Sequence, residues 1–325
     1  MSLPKELLSR YYMSTRTALD ELIYGWPKGR MALVFGHFKS GKTTLAMMAS
    51  IIAMEEGKKA LYLDAENRVT PIRFHQLASA MAEAKLIERV PNIPKQLFLW
   101  TANSLKEQHD LVMNDMVEKI EEGDVGVAVI DSIAIHYHSQ VMNAPREMMA
   151  SVAREIQGRL ETEIHNLQKA AAKSGTCVIV TSWSASQAKA SLQEWQRKQV
   201  ERGLTSGELS VPDLYRYLDV LIGSYGFDFV GGQYLGYRAH FLLRIFRVGA
   251  DLRYAYLVAH GDRPDGYGMY MVMRDHGLVP VEGAKVEKVS EVALKGLIRK
   301  EEEIVREEME ADEPRRGPKR AKKEG

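Results

Sequence analysis

Residues 36–43 read Gly-His-Phe-Lys-Ser-Gly-Lys-Thr, a complete G-x-x-x-x-G-K-[ST] string. An apolar, strand-like run, MALVF at 31–35, precedes it, and a helix-favouring stretch at 44–56 follows and stops at Gly57. Strand, glycine loop and helix in that order confine the chain to a narrow set of α/β folds, because the strand must carry a helix N-terminus up to the loop. The two glycines let the backbone turn tightly and aim successive N–H groups at a polyanion. Gly36, His37, Phe38, Lys39, Ser40, Gly41, Lys42, Thr43 and Thr44 are therefore expected to hold the phosphates of a nucleotide. Lys42 would place its charge on the β- and γ-phosphates, and the Thr43 hydroxyl would ligate Mg²⁺.

With 325 residues, 45% of them hydrophobic, the chain can bury one large α/β core with extensions. Its formal charge of +1 excludes a global basic field. Any nucleic-acid contact must come from local loops or from repetition in an oligomer. The single cysteine, Cys177, lies in the apolar run GTCVIVT, where a buried thiol in a reducing compartment is expected. No signal pattern or bilayer-length apolar run is present. A cytoplasmic location and no membrane partner are the expectation.

Strand-like runs recur at 60–64 (ALYLD), 96–100 (QLFLW), 125–131 (VGVAVID) and 176–181 (TCVIVT), with helical stretches near 71–88, 105–121 and 145–173. This alternation predicts a doubly wound, mostly parallel sheet. From about residue 217 the rhythm changes. YLDVLIGSY, AHFLLRIFRV, LRYAYLVAH and YGMYMVM come without intervening helices and predict antiparallel strands extending one side of the sheet, with Gly231-Gly232 as a hairpin turn. Three parts follow: a leader at 1–12 with one or two helical turns, a core at 13–283, and an extension at 284–325. The extension holds a charged helix at 290–311 and a tail with Pro314, Pro318 and six Lys or Arg, expected to be disordered. Such a tail either touches DNA or is simply solvated.

In an open α/β sheet ligands lie at the carboxyl ends of the strands. Asp131 ends VGVAVID, the place for a carboxylate that orders Mg²⁺ through water; a turn-capping role beside Ser132 is the alternative. Glu66 lies just past ALYLD. If that strand neighbours the loop strand, its carboxylate can polarise a water for in-line attack on the γ-phosphate, a role for which Asp64 competes.

Taken in order, residues 13–44 (MSTRTALDELIYGWPKGRMALVFGHFKSGKTT), 61–71 (LYLDAENRVTP) and 129–137 (VIDSIAIHY) resemble the RecA/RadA recombinase ATPase family. Residues 253–279 resemble the strands that close the archaeal RadA core, and 218–260 look most like phage UvsX-type recombinases. The resemblance spans roughly 13–282. It implies a RecA-like P-loop ATPase core using ATP and Mg²⁺, with Glu66 and Lys42 catalytic and Thr43 and Asp131 at the metal. It also implies two DNA loops. The sequence departs from the family at Ser182-Trp183, where Asn-Gln or Asn-His usually senses the γ-phosphate; Ser182 can still bond phosphate or water, but an indole cannot accept. No separate N-terminal helical domain and no clear Phe-x-x-Ala motif is found. Arg247 and Arg263 lie where cations lent across a subunit interface are expected.

Two stretches without a core pattern are candidates for those DNA loops. Residues 135–146 carry His136, His138 and Arg146, and the two histidines lack further ligands for a metal. Residues 183–214 carry Lys189, Trp195, Arg197, Lys198 and Arg202. Cations interleaved with aromatics suit a single strand, while SLQEWQRKQVERG also reads as a solvated helix. The resemblance implies a DNA-dependent ATPase that forms helical filaments on single-stranded DNA and pairs it with homologous duplex. Alternatives are an accessory paralogue that binds ATP and DNA without strand exchange, and a ring-forming hexameric helicase or KaiC-like ATPase.

Overall fold

A computed structural model describes residues 3–145, 148–184, 222–223 and 229–311. The chain begins with α1 (Lys5–Tyr11), and β1 (Tyr12–Met13) pairs antiparallel with β2 (Trp26–Pro27) across α2 (Asp20–Ile23). β3 (Met31–Gly36) runs through the glycine loop into α3 (Lys42–Glu55), and β4 (Lys59–Asp64) follows. α4 (Pro71–Glu83) starts where Thr70 caps the Arg73 N–H and Pro71 takes a first-turn position that needs no donor. After α5 (Ile93–Gln96) and β5 (Leu97–Thr101) comes a helical stretch, α6 (Leu105–Asp110) and α7 (Val117–Glu122), joined by a π-helical segment, Leu111–Met116. β6 (Val125–Asp131), α8 (Ala134–Asn143), α9 (Met149–Ser174) and β7 (Cys177–Trp183) lead to β8 (Ile222–Gly223) and β9 (Phe229–Val230). The last elements are α10 (Gly232–Arg238), β10 (Phe241–Arg247), β11 (Leu252–His260), β12 (Tyr267–Arg274), β13 (Gly277–Pro280), β14 (Glu287–Lys288) and α11 (Glu291–Ala311).

The main sheet has the order β13-β12-β11-β10-β3-β7-β6-β4-β5, with β14 beside β12. β10, β3, β7, β6, β4 and β5 are mutually parallel, and β11, β12 and β13 continue antiparallel from β10. This is the doubly wound, mostly parallel sheet with an antiparallel extension. β3 shows why its sequence is apolar throughout: Met31, Leu33 and Phe35 enter the core on one face, Ala32 and Val34 the core on the other. Burying Leu33 or Phe35 completely contributes about 2–3 kcal/mol each.

Two expectations are corrected, and one condition is not met. β10 is parallel to β3, not antiparallel, and α10 lies in the connection that leads into it, as parallel pairing requires more than a hairpin turn. Gly231-Gly232 forms no hairpin: Gly231 precedes α10 and Gly232 opens it, while β8 pairs with β9 in a separate two-strand sheet. β4 does not neighbour β3, because β7 and β6 lie between them.

Candidate nucleotide site

Gly36 ends β3 with its Cα against the neighbouring strand; a Cβ there would lie 2.3 Å from the Ile245 carbonyl oxygen. Lys39 at φ 60° and Gly41 at φ 104° bend the loop, and α3 begins at Lys42. Lys42 is buried, and its Nζ donates to the carbonyls of Gly36 at 3.0 Å and His37 at 2.9 Å. Burial pushes the ammonium pKa down, an effect opposed by the Glu66 and Asp131 carboxylates. The Ser40 hydroxyl is fully buried, with no hydrogen-bond partner among the described residues. An orphaned buried hydroxyl and a lysine curled onto its own loop are what a phosphate-binding loop presents before phosphate oxygens arrive.

Asp131 ends β6 beside this loop. Tyr62 on β4 donates to its Oδ2 at 2.7 Å, and the Thr181 hydroxyl on β7 donates to Oδ1. Burial first, then the Asp131 charge, pushes the Tyr62 pKa well above its usual value, so the phenol keeps its proton and donates it. Both carboxylate oxygens are thereby fixed, with lone pairs left for a hydrated cation. Thr43 and Asp131 line the same cleft, and this hard-oxygen donor set fits Mg²⁺.

Glu66 arrives from the turn after β4. Ser132 donates to its Oε1 at 2.9 Å, the Trp183 indole N–H donates to the same oxygen at 2.9 Å, and Arg68 pairs with Oε2 at 3.1 Å. Asp64 takes a different part: its carboxylate accepts the backbone N–H groups of Glu66, Arg68 and Val69 and so shapes the turn that carries Glu66. The cleft enclosed by these groups has a volume of about 360 Å³.

Three cations that sequence reasoning passed over also line it, Arg68, Arg73 and Arg253. Arg68 lies 4.7 Å above the ring of Phe38, inside the glycine loop. Arg253 is buried and donates to the carbonyls of Lys39, Gly249, Ala250 and Leu252, so it braces the loop from β11. No motif marks it; only the approach of β11 to the loop does.

Ser182 is placed away from the cleft. It is fully buried and its hydroxyl donates to the Val230 carbonyl, so Trp183 and not Ser182 faces the site. Arg247 and Arg263 are engaged within the chain: Arg247 by Glu308, and Arg263 by the Glu21 carbonyl and the Tyr24 ring. His136 and His138 are on a helix, α8, and not on a loop. His136 bonds the Ala102 carbonyl at 2.8 Å, and His138 is buried with its ring 5.4 Å from that of Trp183. The period was readable in the sequence, because Ala134, Tyr137, His138 and Val141 recur at helical spacing and are buried. Arg146, Lys189, Trp195, Arg197, Lys198 and Arg202 lie outside the described residues. Among those described, no cluster of His, Cys, Asp or Glu is arranged to hold a metal by itself, and no helix is long and apolar enough to cross a membrane.

A parallel sheet whose strand ends gather a glycine loop, a buried lysine and two carboxylates defines the class: a RecA-like P-loop core. A family model described as an AAA domain matches residues 2–168. The chain belongs to that family, and its similarity to the following proteins supports a place among RecA-type recombinases. It is similar to the DNA repair and recombination protein RadB of Pyrococcus furiosus, 28% identical over 265 residues that cover 81% of this chain and 93% of that protein. The protein of the same name from Thermococcus kodakarensis is 27% identical over 274 residues, covering 83% and 100%. A crystal structure of the RadB recombinase shares the fold at TM-score 0.55 and 24% identity, covering 82% of this chain and 99% of that one.

Proposed function

We propose that the protein is a DNA-dependent ATPase of homologous recombination that assembles on single-stranded DNA with ATP and Mg²⁺ bound. The observation that carries this is the meeting of Lys42, Thr43, Asp131 and Glu66 in one cleft at the carboxyl ends of parallel strands. Lys42 would exchange the Gly36 and His37 carbonyls for phosphate oxygens. Thr43 and Asp131 would hold the cation, which neutralises charge on the phosphates when bound. Glu66 would orient a water and take its proton as the bond between the γ-phosphorus and ADP breaks. Relatives named for DNA repair and recombination support the recombination role. Pairing with homologous duplex, self-assembly into a helical filament and a cytoplasmic location belong to the same reading.

A second reading, an accessory protein that binds ATP and DNA without strand exchange, is favoured by one observation. Ser182 is turned into the core, and the neighbouring Trp183 contacts Glu66 instead of presenting a group that can both accept and donate. ATP turnover and electron microscopy with and without single-stranded DNA test the proposal. DNA-stimulated turnover and filaments that vanish in Lys42→Ala are expected, and unchanged filaments in that variant would overturn it. A strand-exchange assay separates the two readings.

A further inference from the structure

The Glu66 carboxylate offers about four acceptor positions. Among the described residues three are filled: Oε1 takes the Ser132 hydroxyl and the Trp183 indole N–H, both at 2.9 Å, and Oε2 takes Arg68 at 3.1 Å. These donors come from separate places in the chain, the turn after β6, the end of β7 and the turn after β4. An indole nitrogen can only donate and an ionised carboxylate can only accept, so the polarity of the Trp183–Glu66 bond is unambiguous. Trp183 is also fixed from behind. It pairs in register with Gly36 on β3, and its ring lies 5.4 Å from that of buried His138. Glu66, by contrast, sits on a turn and has three side-chain torsions to restrain.

We propose that Trp183 is a positioning residue for Glu66: its indole N–H, with Ser132, saturates Oε1 and leaves an open acceptor position on Oε2 for the attacking water. The inference rests on the reading of Glu66 as the group that orients that water. Arg68 is half-exposed, whereas Trp183 ends β7 in the central sheet and Ser132 directly follows the end of β6. The carboxylate is therefore aimed by the sheet itself. A group held this way reacts faster than one that must be ordered in each turnover.

Steady-state ATP turnover and binding of a fluorescent ATP analogue, measured on the full chain, test this. Trp183→Phe keeps an aromatic ring and removes the donor; turnover number is expected to fall on the order of tenfold with analogue affinity within about twofold of the parent. Trp183→Gln places an amide nitrogen four bonds from Cα, as the indole nitrogen is, and is expected to recover most of the loss. Trp183→Phe added to Glu66→Gln should cost nothing further. Unchanged turnover in Trp183→Phe, or a multiplicative loss in the double variant, would overturn the inference while leaving Glu66 in its role. Parent-like turnover in Glu66→Gln, or no turnover in the parent, would instead remove the proposed role of Glu66. An independent readout is the indole proton resonance of Trp183, identified by its loss in Trp183→Phe. It should move in Glu66→Ala while those of Trp26 and Trp100 do not, and a stationary resonance overturns the contact whatever the turnover.

Discussion

Glu308, near the end of α11, grips both terminal nitrogens of Arg247 on β10, at 2.7 and 2.8 Å, and approaches Lys39 of the glycine loop at 3.7 Å. One turn-pair earlier on the same helix face, buried Glu301 accepts from Arg244 at 3.0 Å and from the Arg247 backbone N–H at 3.1 Å. The charged helix at the chain's C-terminal end thus docks beside the phosphate-binding loop. The Arg247 guanidinium holds the Glu308 carboxyl down at about 2.

Replacing Glu308 with Gln removes a negative charge from the rim of a site built for a polyanion. A triphosphate analogue should bind roughly two- to fivefold more tightly at low salt, with the gain fading as screening rises. Stability should fall by about 1 kcal/mol, since the pair is partly solvated. Titrations at two salt concentrations check this, and equal low-salt affinities would count against a role for Glu308 at the loop.

Tyr62→Phe leaves the buried Asp131 carboxylate one donor short. A loss of about 1–3 kcal/mol in stability is expected, together with weaker Mg²⁺ dependence of nucleotide binding. Urea unfolding and Mg²⁺ titration with the analogue measure the two effects, and a neutral result in both would show that Thr181 alone suffices to hold Asp131.

Two glycine substitutions should differ in kind. Gly36→Ala drives a methyl to 2.3 Å from the Ile245 carbonyl, backbone against backbone, and should cost more than about 3 kcal/mol or prevent folding. Gly123→Ala, at φ 94° and ψ −177° with nothing within 4 Å of the new Cβ, meets only conformational strain and should cost about 1–3 kcal/mol. Unfolding midpoints that rank the other way would contradict the close approach of β10 to the loop.

The pH dependence has a defined sign. Burial lowers His37 and His260 from 6.5 to about 4, the nearby Lys42 charge assisting at His37. Between pH 6.5 and 4 the unfolded chain takes up protons that the folded chain refuses, so both residues contribute stability above 6.5 that is lost as pH falls through this window. Each contributes about 3 kcal/mol at most. A urea midpoint that stays level from pH 7 to pH 4.5 would refute this.

Much of the fold could be read along the chain because its determinants are local. The β3 run, the glycine loop and the α3 stretch are contiguous, and the β6 run ending in Asp131 is apolar on both faces as a covered parallel strand must be. The α11 helix was equally visible in its charge pattern. Strand order was not. Glu66 reaches the cleft although β7 and β6 separate its strand from β3, because all six parallel strands end on one side and the turn after β4 folds back over β6. The direction of β10 was misread because a long crossover and a hairpin leave similar strand sequences behind.

By itself the sequence determined a phosphate-binding loop, its flanking strand and helix, the alternation that winds the sheet, and the carboxylates that end its strands. These depend on neighbours within about a dozen residues, where side-chain period and turn chemistry decide. Only the tertiary structure decided that Tyr62 and Thr181 fix Asp131, that Arg253 braces the loop, that Ser182 turns into the core and that Trp183 donates to Glu66. Those contacts join residues 48 to 214 positions apart, and they are set by sheet order and strand register, which no local pattern encodes. The glycine loop announces a nucleotide, but the groups that aim the chemistry at it are assembled by packing.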